Sequence, residues 1–134
     1  MEKDSVIQHE LGSVVATDGN IVTADANVLE VARWSGSAYA SGNGMWCGLV
    51  KVVCRNPLTN DSGSWFQQIA VKFTPDSAEL VGTLPAAQVI KDDALADAGI
   101  ILTFDGSNTV VSVQGLSDAV LFWGFSIFVD MMQY

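Results

Sequence analysis

The sequence predicts an all-β protein: an antiparallel β-sandwich, jelly-roll-like, with an N-terminal arm or small hairpins. Three observations carry this. Several segments alternate apolar and polar residues with period two, Gly, Asn, Asp and Pro clusters separate them at sandwich-like intervals, and no segment sustains a helical period. At 134 residues the chain holds one ordinary domain with a real core. Residues 1–44 are richer in Gly, Ser, Ala and Asn and read as the arm or hairpins; 45–134 read as the sandwich.

Taken in order, "VVATDGNIVTAD" has the turn chemistry of a short hairpin. In "NVLEVARW", Leu29 and Val31 face one way and Glu30 the other, which puts Trp34 on the side of Glu30. From Met45 to Arg55, Trp46, Val50, Val52 and Cys54 share a face, with Lys51 and Arg55 opposite. Pro57, Asn60, Asp61 and Gly63 mark a loop. "WFQQIAVKF" then sets Trp65, Ile69, Val71 and Phe73 against Gln68 and Lys72, and "FTPDSAELVG" turns at Pro-Asp into another short strand. "KDDALADAG" is the best helical candidate, a single turn that Asp92 or Asp93 would cap. The clearest hairpin is "GIILTFDGSNTVVSVQG": Ile100, Leu102 and Phe104 enter, Asp105 to Asn108 turn, and Val111 and Val113 return.

The last segment, "LSDAVLFWGFSIFVDMMQY", is the most apolar. One face carries Leu121, Trp123, Phe125, Ile127 and Val129, a core face. The other carries Phe122, Gly124, Ser126, Phe128, Asp130 and Met132 and is also mostly apolar, whereas a sandwich strand normally wets one face. Phe122, Phe128 and Met132 are therefore expected to be covered, by the N-terminal arm or by a second subunit. The apolar run from Ala119 to Val129 falls short of the roughly 18 residues of a membrane span, so no membrane partner is expected.

Six Lys and Arg against fifteen Asp and Glu give a net charge of -9, unsuited to neutralising phosphates, so no nucleic-acid partner is expected. Cys47 and Cys54 are seven apart, on opposite faces of a strand and roughly 23 Å from each other at about 3.3 Å per residue, so they read as two buried free thiols. "MEKDSVIQHE" lacks the positive start of a secretion signal.

The chemistry-bearing residues form no catalytic or metal-ligating pattern. His9, the single histidine, has no nucleophile at motif-like spacing. Asp92, Asp93 and Asp97 lack the Gly and Glu of a calcium loop and read as a solvated acidic turn. "GSAYASGNG" is followed by no Lys and reads as a loop. No cofactor is implied. Among the aromatic residues at strand ends, Trp34 and Tyr39 are the candidate partner contacts, while two or three of the tryptophans are expected in the core.

From Val50 onward the layout resembles a β-sandwich domain of tailed-bacteriophage structural proteins. The resembling elements are "GLVKVVCR", "FQQIAVKF" with "ELVGT", the acidic turn "DDALADAG", "IILTFDGSNTVVSVQG" and "LSDAVLFWGFSIFV". The most specific part is Val111-Ser112-Val113-Gln114-Gly115 followed by Trp123; the chain departs from the pattern by running on through Asp130 to Tyr134. The resemblance implies a non-enzymatic virion component, fibre or capsid decoration in type, often a homotrimer. A chain of this length leaves no room for a long fibre shaft, so the expectation is a capsid decoration or cement protein, partnered by itself and by the major capsid protein. The alternative is a head- or tail-fibre domain whose exposed aromatics recognise host glycans. A third, from a different class, is a carbohydrate-active enzyme using Asp92, Asp93 and Asp97.

Overall fold

Residues 14–15, 21–35 and 42–133 are described in a computed structural model of the chain. The strands are β1 (Val14–Val15), β2 (Ile21–Thr23), β3 (Val28–Ser35), β4 (Gly44–Arg55), β5 (Ser62–Thr74), β6 (Ser77–Leu80), β7 (Gln88–Lys91), β8 (Gly99–Phe104), β9 (Asn108–Gln114) and β10 (Leu121–Gln133). One 3-10 turn, Asp93–Leu95, separates β7 from β8. The protein is all-β, with antiparallel sheets curled into a sandwich-like half-barrel.

Strand β10 lies inside the larger sheet, which explains the apolar character of the last segment. One edge of β10 pairs with β4 over twelve residues, from Phe122 opposite Arg55 to Gln133 opposite Gly44. Its other edge takes β1 and β2, and β5 pairs β4 on the far side. The outer edge of β5 is shared by β6, beside Val71 to Thr74, and by β7, beside Gly63 to Phe66. The smaller sheet runs β3-β9-β8.

Between the sheets lies one core. Alternation along the long strands sends Trp46, Val50, Val52, Trp65, Ile69, Val71, Trp123 and Ile127 inward, where all are buried with Val111, Val113 and Leu102 of the smaller sheet. Two glycines fit the indole rings beside them. A β-carbon on Gly48 would lie 3.2 Å from the Trp46 ring, and one on Gly63 would lie 2.8 Å from the Trp65 ring. Trp65 also packs 5.5 Å from Trp123, whose Nε1 donates to Thr23 Oγ1 at 2.9 Å. That buried bond fastens β2 to the centre of the sheet.

Three local expectations are corrected. "VVATDGNIVTAD" forms no hairpin between β1 and β2: both run antiparallel along the same edge of β10, Val14 opposite Ile127 and Ile21 opposite Trp123. Trp34 faces the core rather than solvent. The register of β3 slips at Val31, with Glu30 opposite Ser112 but Ala32 opposite Val111, so the extra residue reverses the alternation. Trp34 lands opposite buried Thr109 and packs 5.8 Å from Trp46, while Glu30 and Arg33 share the outer side as an ion pair at 2.8 Å. Gln67, on the same side of β5 as Trp65 and Ile69, turns inward with them and donates to the Pro85 carbonyl. Finally, the Asp92 side chain does not cap the turn; its Oδ2 accepts the Ser62 N–H at 2.8 Å.

The predicted turn at Asp105 to Asn108 is present and built by its own carboxylate. Asp105 Oδ1 accepts the N–H groups of Ser107 at 2.8 Å and Asn108 at 2.7 Å, and these bonds hold its carboxyl below the usual carboxylate range. Gly106 supplies the positive φ of 92° that the turn needs.

Candidate functional site

The outward face of the larger sheet follows from the same alternation that fills the core. Register places its residues in rows. Phe122, Arg55 and Ser62 form one; Gly124, Val53, Ser64 and Ile90 the next; then Ser126, Lys51, Phe66 and Gln88. Phe128, Leu49 and Gln68 form the middle row. Beyond it come Asp130, Cys47 and Ala70, and then Met132, Met45, Lys72 and Glu79.

Much of this face is apolar and open. Phe122 is 42% exposed, Phe128 48%, Met132 55%, Val53 55% and Ile90 81%. Scattered exposed apolar residues are ordinary, but a contiguous field across five strand positions is what marks an interaction surface. The three candidates Phe122, Phe128 and Met132 therefore lie together on one face of the sheet, each partly exposed in the single chain.

Two features shape the surface. Lys51 stands near its middle, with Nζ 5.2 Å from the Phe66 ring centroid and 5.5 Å from that of Phe128. The ammonium thus rides over two aromatic faces while its stem covers apolar surface. Beside the middle row, the segment between β6 and β7 raises a wall: Val81, Leu84 and Pro85 face Cys47, Leu49 and Phe128 across a cleft of about 520 Å³. A second hollow, of about 480 Å³, lies over Gly124 between Phe122, Val53 and Arg55. The missing side chain at Gly124 helps open it.

Charge is segregated onto this face. The described cations are Arg33, Lys51, Arg55, Lys72 and Lys91, and three of those five, Lys51, Arg55 and Lys72, point outward here. Among the described residues, Glu79 and Asp130 lie in the same rows, and Asp92 adjoins Ser62 at the end of one of them. Both cysteines are free, but only Cys54 is buried; Cys47, expected to be buried as well, is exposed because its side of β4 is the outward one. Burial pushes the Cys54 thiol up to about 12.

The other sequence candidates separate. Trp34 and the other three tryptophans are buried, so among the described residues no exposed indole is offered to a sugar. Tyr39 and His9 lie outside the described residues. Asp92 serves as a latch: its backbone N–H donates to the Ser62 carbonyl while its carboxylate accepts the Ser62 N–H. Lys91 Nζ donates to the Ala96 and Ala98 carbonyls, closing the same turn from the other side. Among the described residues no group of three His, Cys, Asp or Glu is placed to hold a metal ion, and no helix is long and apolar enough to cross a membrane.

Sequence reasoning missed Phe66, Leu49 and Val53 as members of the face. The signal was present, since each is two or four residues from Lys51 or Gln68 on the polar side of its strand. Only the pairing of β10, β4 and β5 shows that these positions adjoin Phe122 and Phe128. No protein family, curated protein or solved structure matches the chain.

Proposed function

We propose that the chain is a structural component of a bacteriophage virion, a capsid decoration or cement protein. It works by burying the outer face of its larger sheet between copies and by contacts with the major capsid protein. The observation that carries this reading is the open apolar field of Phe122, Phe128 and Met132 with Val53, Phe66 and Leu49. Covering the remaining half of each phenylalanine contributes about 1 kcal/mol, half the roughly 1.5 to 3 kcal/mol of complete burial. Repeated over the face, that is enough to offset association costs of several kcal/mol. The resemblance of the strand succession to tailed-phage β-sandwich domains supports the virion assignment.

The test is cosedimentation of the purified chain with assembled shells of the major capsid protein from the same genome, wild type against Phe122→Ser/Phe128→Ser. Wild type is expected in the pellet at a fixed ratio to shell protein. The double variant is expected to remain folded by circular dichroism but to stay in the supernatant. Wild type that does not bind shells refutes the assignment.

A further inference from the structure

We infer that the strip of the outer sheet face along β4 from Leu49 to Arg55 seats an extended segment of a partner protein in which apolar and acidic residues alternate. This deepens the capsid-contact reading above and rests on it for the identity of the protein that carries the segment. The rows beyond Leu49 lie outside the strip, which leaves them to contacts between copies.

Uncompensated charge points to an acidic occupant. Of the five described cations, Arg33 pairs with Glu30, Lys72 stands opposite Glu79, and Lys91 donates to the Ala96 and Ala98 carbonyls. Lys51 and Arg55 have no carboxylate or carbonyl partner among the described residues. The Lys51 ammonium lies over the Phe66 and Phe128 rings, and Asp92, at the end of the Arg55 row, accepts the Ser62 N–H. A chain of net charge -9 has acids to spare, yet these two cations on one strand face are ion-paired with none of the described ones.

Shape and spacing point to an extended polypeptide. The outward residues of β4 run Leu49, Lys51, Val53, Arg55, apolar and cationic by turns, at about 6.6 Å a step. A strand laid along β4 presents every second side chain to it at the same interval. Its residues i and i+4 then reach the levels of Leu49 and Val53, and i+2 and i+6 those of Lys51 and Arg55. Both apolar levels open into hollows. One is the cleft of about 520 Å³ between Leu49, Phe128 and the wall at Leu84 and Pro85; the other is the hollow of about 480 Å³ over Gly124 beside Val53. Apolar side chains at i and i+4, about 13 Å apart, fill them while an acid at i+2 meets Lys51 between them.

Other anionic partners fit less well. A nucleic acid or an anionic membrane is repelled by a chain of net charge -9, and neither carries apolar and acidic groups alternating at strand spacing.

The experiment titrates the full-length chain into a fluorescein-labelled synthetic peptide, Phe-Ser-Asp-Ser-Phe-Ser-Asp-Ser-Phe, which offers the pattern in either chain direction, and reads fluorescence anisotropy. Saturable binding is expected, and asparagine in place of both aspartates is expected to weaken it by more than about tenfold. Lys51→Glu and Arg55→Glu are each expected to weaken it by a similar factor. Each variant is expected to be recovered, to within about threefold of the original affinity, by a peptide with lysine in place of one aspartate, which misfolding of a variant cannot produce. Gly124→Val, at a strand position whose φ is not positive, fills the second hollow without changing charge and is expected to weaken binding about tenfold. Circular dichroism confirms that each variant is folded.

Wild type that does not bind the peptide, an asparagine peptide bound as tightly, or capture by phosphatidylserine vesicles in place of the peptide would overturn the inference. So would shell binding in the cosedimentation assay that Lys51→Glu leaves unchanged. Peptide binding by a chain that ignores shells would overturn the virion assignment and leave the strip standing as the seat of another protein's acidic segment.

Discussion

Gly115 follows β9 and is the position where the smaller sheet passes closest to β2. A β-carbon built there would meet Thr23 Oγ1, lie 2.6 Å from the Asp25 carbonyl oxygen and 2.8 Å from Thr23 Cβ. Two of these atoms belong to or sit directly on backbone, so the strain cannot be relieved by rotating a flexible side chain. Gly115→Ala must therefore displace β2. Overpacking of this kind costs about 1 to 3 kcal/mol. Moving Thr23 also breaks the buried bond to Trp123 Nε1, and leaving that donor without a partner adds about 1 to 3 kcal/mol. The expected loss is about 2 to 6 kcal/mol, a large part of the roughly 5 to 15 kcal/mol that stabilises an ordinary domain. Urea titration followed by tryptophan fluorescence measures it. Gly99→Ala is the control, because a β-carbon there meets nothing within 4 Å and its φ is not positive; it should be neutral or slightly stabilising. A Gly115→Ala loss below about 1 kcal/mol would refute the claim that β2 is part of the cooperative sandwich.

Two further outcomes follow from burial. Trp34→Ala should cost about 3 to 5 kcal/mol by thermal or urea unfolding because it removes a core indole packed on Trp46; a change below about 1 kcal/mol would restore Trp34 as a surface contact. Cys54 makes stability fall at alkaline pH. Its folded pKa of about 12 lies above the ordinary thiol value of 9.0, so its contribution is intact below about pH 9 and is lost as pH rises toward 12, by at most about 1.4 kcal/mol per unit. Cys54→Val should flatten that alkaline decline relative to wild type, and parallel melting-temperature curves between about pH 8 and 10.5, the window in which an ordinary thiol ionises, would contradict it.

The long strands were legible because their side chains alternate without interruption. In β4 and β5, Trp46, Val50, Val52, Trp65, Ile69 and Val71 repeat with period two over 12 and 13 residues, and the structure keeps that parity. The Asp105 turn was legible because its chemistry is local. Trp34 was misread because a single extra residue at Val31 reverses parity, and nothing in "NVLEVARW" announces a bulge. The relation of β1 to β2 was misread for a different reason. Turn residues favour a reversal, but the open edge of β10 offers both segments more pairing than they offer each other. Likewise the apolar side of β10 was visible in sequence, whereas its continuation across Leu49, Val53 and Phe66 depends on register between distant segments.

The position of Lys51 bears on how such a face stays usable. An open apolar sheet face invites indiscriminate association, and natural sheets limit it by placing charge within the apolar field. With its stem on the sheet and its ammonium over Phe66 and Phe128, Lys51 shields both rings while remaining hydrated. A partner that offers only apolar surface must strip water from that ammonium without compensation, which is costly. A partner that brings a carboxylate to the same place replaces the lost hydration with a charge-assisted contact. The same lysine therefore discourages nonspecific contact and rewards a partner that presents an acid to it.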